Sequence, residues 1–388
     1  MDFIYLDHNA TTPLQPKAFE AMLPVMRDHF GNPSSTHFFG RTARVRVDEA
    51  REKVAELVNA RAREIVFTSG GTESNNFAIV GTSLALKKKG RHILTSKVEH
   101  PSALNACRYL EKLGFEVEFL DVDGEGRIDP ELVESALRAD TVLVTIQHAN
   151  SEVGTLQDID SIGRKVREKG VVMHVDAVQS VGKVCVDLET FPVDLLSFSA
   201  HKLYGPKGTG VLYIRRGTPS LDPLIHGGGQ EIKRRAGTEN VPGIVGLGVV
   251  AEIAKRDLKK NSLRMDDLHK QLRRFLLDEI YGVEIYGHPR LRLPNTLGFS
   301  IIGVNGGDLL MALDMEGIAV STGSACSSGS LFPSHVLTAM GVSEEKINSS
   351  LRISLGWGNN TEEVLLAGQT LKRLVGEMRK TVSKEGIL

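Results

Sequence analysis

Apolar positions along the chain follow two periods. Between residues 41 and 60, Val47, Ala50, Val54, Leu57 and Val58 recur three or four apart with Arg and Glu between them, the spacing of a helix with one buried face. Compact apolar or β-branched runs at 65–68, 92–96, 115–120, 141–147 and 171–175 predict strands, as does the run Val193, Leu195, Leu196, Phe198. Helical stretches at 130–138 and 158–169 separate the later runs, and this alternation predicts a mostly parallel sheet covered by helices on both faces. A long helical pattern then covers 244–277. Beyond it, strands at 283–286 and 296–302 with helices at 307–316 and 361–383 predict a smaller α+β unit. The expected division is a large domain over 15–260 and a small domain built from 1–14 and 261–388. Residues 1–40 are rich in turn formers, among them Asn9, Thr11, Pro13, Asn32 and Pro33, and so predict ordered loops in place of long regular elements.

Composition narrows the classes open to such a chain. Its 388 residues exceed what one small core supports, in keeping with two domains. The 47 basic and 48 acidic residues nearly cancel, which argues against nucleic acid or an anionic membrane surface as a partner. No apolar run approaches the roughly 18 residues of a membrane span, and MDFIYLDHNATTP lacks the basic start and apolar core of a leader, so a soluble, cytoplasmic protein is expected. Cys107, Cys185 and Cys326 are too few for a disulfide framework; they suit a reducing compartment and leave room for one reactive thiol.

Candidate chemistry gathers just beyond predicted strand ends. Lys202 follows the run ending at Phe198, beside Ser199 and His201 and ahead of a loop bounded by Gly205, Gly208 and Gly210. A partly desolvated lysine there has an amine free for Schiff-base chemistry, although an ordinary loop lysine has the same local sequence. Asp176 ends the run at 171–175, with Gln179 three residues on; a carboxylate so placed can keep a pyridinium nitrogen protonated or can cap a helix. The strand at 65–68 feeds Gly71 and Thr72 into a helix start, whose free N–H groups and hydroxyl suit a phosphate. His100 and Asn150 also fall past strand ends, where ligands of open α/β sheets bind. Cys326 lies in GSACSSGS without large apolar neighbours, which fits an exposed thiol better than a core residue. Arg352, in SSLRISLGWG, can grip a carboxylate with two parallel hydrogen bonds if it faces a cleft.

Four separated motifs, SGGTESNN, DAVQS, SFSAHK and GSACSSGS, together resemble the cysteine desulfurases of the NifS and IscS type. The resemblance implies an α/β protein of the aspartate-aminotransferase fold (fold type I) that binds pyridoxal 5'-phosphate. It also implies conversion of L-cysteine to L-alanine, with sulfur left as a persulfide on Cys326 and passed to an iron–sulfur scaffold protein. Lys202, Cys326 and His100 are then catalytic. Gly71, Thr72, His100, Asn150, Asp176, Gln179, Ser199, His201 and Lys202 hold the cofactor, while Asn9, Asn150 and Arg352 meet the substrate. Thr238, in RRAGTEN, matches a position that reaches the neighbouring subunit of a homodimer, and no metal is implied. Two other readings stay open on the residues alone: a different pyridoxal enzyme of this fold, such as an aminotransferase or selenocysteine lyase, and a silent sulfur-carrying scaffold.

Overall fold

The computed structural model describes residues 3–322 and 333–385. In chain order its strands are β1 (Ile4–Tyr5), β2 (Ile65–Thr68), β3 (His92–Ser96), β4 (Glu116–Leu120), β5 (Thr141–Gln147), β6 (Val172–Asp176), β7 (Leu195–Ser199), β8 (Gly210–Ile214), β9 (Val283–Ile285), β10 (Thr296–Ile301), β11 (Ile318–Ala319) and β12 (Ser350–Ser354). Seven of them form the main sheet in the order β2-β8-β7-β6-β5-β3-β4. Every residue of β3, β5, β6 and β7 is buried, as expected where helices cover both faces, whereas edge strand β4 alternates exposed glutamates with covered positions.

The sheet is parallel from β7 to β4, but β8 runs antiparallel to both β7 and β2. The ten residues 200–209 that join β7 to β8 are too few for a helical crossover, so the chain must turn back. Gly210, expected in a loop with Gly205 and Gly208, instead begins strand β8.

A second correction concerns the first forty residues. Pro16–Arg27 is a twelve-residue helix despite Pro24 within it. Pro16 occupies its first turn, where a missing N–H costs nothing, and Ala18 and Val25 are buried as the helix packs on the long helix Val241–Glu279. Packing outweighs the local turn preference.

That 39-residue helix links two cores. Val241, Ile244, Leu247, Val250 and Ala251 join the core of the main sheet. Leu268, Leu272 and Leu276 join a second core with Leu297, Phe299, Leu351 and Ile353 of the antiparallel sheet β12-β10-β9. β1 pairs in parallel with β11, and the chain then crosses to the end of the main sheet, where Thr12 and Gln15 donate backbone N–H groups to the carbonyls of His201 and Tyr204. No helix among the described residues is long and apolar enough to cross a membrane.

Candidate active site

The carboxyl ends of β5, β6 and β7 open on a cavity of about 230 Å³ lined by Asn9, Gly71, Thr72, His100, Asp176, Gln179, Ser199, His201, Lys202 and Arg352, among others. β6 delivers Asp176 and β7 delivers Ser199 directly, while Lys202 ends a single tight turn, Ala200–Lys202, that follows β7. Gly71, 131 positions before Lys202, and Arg352, 150 positions after it on the other sheet, thereby share one space with it.

Asp176 is buried and held at both oxygens: Asn75 Nδ2 donates to Oδ2 at 2.6 Å and the Val178 N–H to Oδ1 at 2.9 Å. The same Asn75 amide donates to Ser102 Oγ at 2.9 Å, and Ser102 Oγ lies 2.8 Å from His100 Nδ1. His100 caps the helix Pro101–Lys112 and thereby stands at the cavity wall with its ring fixed. Burial pushes its pKa down, partly offset by the charge of Asp176, so its imidazole is neutral at physiological pH. Beneath it, burial raises the Glu99 carboxyl to about 8, with Ser96 Oγ donating to one oxygen at 2.6 Å.

Lys202 Nζ donates to the backbone carbonyls of Asn9 and Ala10, the latter at 2.7 Å. Beside it, His201 Nδ1 lies 3.1 Å from Thr11 Oγ1, and burial lowers the His201 pKa to about 4. Gln179 Nε2 donates to the same Asn9 carbonyl at 3.0 Å. At the opposite wall Arg352, 3% exposed, donates to Asp7 Oδ1 at 2.7 Å and to the Ser151 carbonyl at 3.2 Å, and its buried Nε has no partner among the described residues. Ser321 and Arg352 exchange backbone hydrogen bonds, and Ser334 Oγ donates to Glu152 Oε2 at 2.5 Å. Cys326 lies outside the described residues.

Three of the expected positions need comment. Asn150 is not among the residues lining the cavity: its Oδ1 accepts the N–H groups of Glu152 and Val153 at 2.8 and 3.0 Å, shaping a turn, and its Nδ2 donates to the Val98 carbonyl. Asn9 lines the cavity, but its side chain is spent on Ser151, Thr296, Lys183 and Asn295. That leaves it no free hydrogen-bonding group for a substrate; it is a joint of the wall. Thr238 is exposed and away from this cavity. Its segment is tied to the site from outside, since Arg235 pairs with Glu73 at 2.8 Å and Arg51 pairs with Glu231 at 2.6 Å. Sequence reasoning missed Asn75, Ser102, Gln147 and Lys183. Of these only Asn75 carried a signal, as part of SGGTESNN.

The donor set fits pyridoxal phosphate. A buried carboxylate, a strand-end lysine and a glycine helix start face one another, and a Cβ on Gly71 would come within 2.7 Å of Val178 Cγ2, closing the cradle from below. Among the described residues no group of His, Cys, Asp and Glu could hold a metal ion.

The aminotransferase class-V family model matches residues 4–366. The cysteine desulfurase IscS of Dictyoglomus turgidum is 49% identical over 376 residues, 97% of this chain and 95% of that protein. Among solved structures, a NifS-like protein superposes with a TM-score of 0.91 at 40% identity over 97% of this chain and all of its own, and SspA in complex with cysteine with 0.81 at 38% over 91% and 98%. The chain belongs to the class-V aminotransferase family, and within it to the pyridoxal-phosphate-dependent cysteine desulfurases of the NifS and IscS type.

Proposed function

We propose that this chain converts L-cysteine to L-alanine and retains the sulfur as a persulfide on Cys326 for delivery to an iron–sulfur scaffold protein. The convergence of Asp176, Lys202 and Arg352 on one cavity carries the reading. When bound, pyridoxal phosphate supplies a covalent anchor for the substrate amine and an electron sink for charge developing at Cα.

Each residue then has a defined task. Asp176, held by donors at both oxygens, would pair with the ring nitrogen of the bound cofactor. Gly71, Thr72, Ser199 and His201 would supply donors for the phosphate, and Gln179 would serve the phenolic oxygen. Lys202 holds the cofactor and, once displaced by the substrate amine, moves the proton at Cα; neutral His100 can take or give a proton beside it. Arg352, with Nε unspent, grips the substrate carboxylate. The Cys326 thiol attacks the substrate sulfur: an S–S bond forms on Cys326, the C–S bond breaks, and Cβ gains the proton that completes alanine.

A homodimer fits the exposed Thr238 loop, which would serve a neighbouring site, and exposed Phe39, stacked on Phe30 and edge-on to Phe38, offers with them an apolar surface for it. Free Cys107 and Cys185 and a working thiol at Cys326 favour the reducing cytoplasm.

Alanine formation from L-cysteine by the yellow, cofactor-loaded protein tests this function. Lys202→Ala should lose both the lysine-bound visible band and turnover. Cys326→Ala should keep the band and still bind L-cysteine yet release no alanine; normal alanine production by that variant overturns the persulfide step.

A further inference from the structure

Lys183 sits in the turn after β6, four residues beyond Gln179, and is only 5% exposed. Its Nζ donates to Gln179 Oε1 at 2.8 Å and to Asn9 Oδ1 at 3.0 Å. Both acceptors are uncharged amide oxygens, and no carboxylate pairs with it among the described residues. Burying a lysine this way is costly, so what its hydrogen bonds arrange is informative.

The two ends of an amide group match in shape but are opposite in hydrogen bonding, and a fixed donor decides which way the group points. With Lys183 donating to Gln179 Oε1, Gln179 Nε2 must face the other side. There it gives one hydrogen to the Asn9 carbonyl at 3.0 Å and has its second for the cavity it lines. Asn9 is set the same way: Oδ1 accepts from Lys183 and Asn295, which turns Nδ2 to Ser151 and Thr296. The Asn9 carbonyl that receives Gln179 also receives Lys202. One buried nitrogen therefore ties the N-terminal segment, the turn after β6 and the strand-end lysine into a single arrangement.

We propose that Lys183 is a positioning residue that locks the Gln179 amide with its N–H toward the phenolic oxygen of the bound cofactor. The inference rests on the cofactor reading above. In the opposite orientation Gln179 would set a lone pair against that oxygen. Lys202, Arg352, His8 and His201 are the titratable groups facing Lys183; burial first, then the charges of Lys202 and Arg352, hold its pKa well below the ordinary range.

A donor at the phenolic oxygen favours its ionised form and so lowers the pH at which the lysine-bound cofactor gives up its proton, which the visible band reports. Lys183→Met should raise that pH by about one unit, with cofactor content after alkaline release unchanged. Gln179→Leu should raise it similarly, and the double variant should go no further than the larger single shift. A Lys183→Met titration identical to wild type, or a double shift equal to the sum, overturns the proposal, the latter because Lys183 would then act by its charge alone. Should Lys183→Met not load cofactor, Lys183→Gln, which keeps an N–H donor, decides: a wild-type titration supports the lock and a raised one refutes it. Wild-type protein without any visible band would sink the cofactor reading itself.

Discussion

At the scale of single residues, the groups to which the proposed function assigns the chemistry were the legible ones. Asp176, Lys202 and Arg352 are ionisable residues at the ends or starts of apolar runs, and the cavity collects all three. Their partners were not legible, because contact came from folding: Asn75 lies 101 positions before Asp176, and Asp7 lies 345 before Arg352. Asn150 shows a different difficulty, since an amide that caps a turn, as its Oδ1 does here, and an amide that binds a ligand are the same residue in sequence. Arg352 carries the clearest test at this scale. Its fork is already aligned by Asp7 and Ser151 while Nε remains open in a buried setting, and a lysine cannot reproduce two parallel bonds. Arg352→Lys should raise the KM for L-cysteine about 10- to 100-fold, the loss expected for one charge-assisted hydrogen bond, with the visible band intact. Steady-state kinetics with an unchanged KM would remove Arg352 from the carboxylate site.

At the scale of elements, strands β2, β3 and β5 coincide with the expected runs because a doubly covered parallel sheet imposes continuous apolar segments of the right length. The helix Pro16–Arg27 and strand β8 were hidden by proline and glycine, residues whose local preference yields to tertiary packing. At β8 the glycine has a specific reason. A Cβ on Gly210 would lie 2.5 Å from the backbone carbons of Gly70, so only glycine lets β8 run beneath the turn that starts the helix at Gly71. Gly210→Ala should push that turn away, weakening cofactor binding in a fluorescence titration and costing about 1–3 kcal/mol of stability. Gly208→Ala is the contrast: φ there is +77° with open space around the position, so strain of about 1 kcal/mol is expected without loss of cofactor affinity. Equal cofactor binding by Gly210→Ala and wild type would show that β8 does not support the cradle.

At the scale of the whole molecule, burial of so many titratable groups sets how stability depends on pH. His8, His148 and His201 are lowered to about 4, and His174 and His269 to about 3, in each case chiefly by burial. His174 illustrates why: both ring nitrogens are taken by the hydroxyls of Thr145 and Ser197, and burial is the one cause of its shift among the described residues. Below the ordinary 6.5 the unfolded chain takes up protons at these histidines while the folded chain cannot, so stability falls as pH drops from about 6.5 toward 4. Lys183 acts in the same direction from its ordinary 10.5 downward. Glu99, raised to about 8, acts in the opposite one, because the folded chain keeps a proton that the unfolded chain surrenders above 4.5; Glu152 and Asp194, also raised by burial, join it. Five histidines outweigh three carboxyls between pH 5 and 6.5, and each net proton is worth about 1.4 kcal/mol per pH unit. Urea unfolding at fixed protein and cofactor concentration should therefore give a clearly lower midpoint at pH 5 than at pH 7. An equal or higher midpoint at pH 5 would mean that these imidazoles already carry protons in the folded protein, so that burial does not hold them neutral.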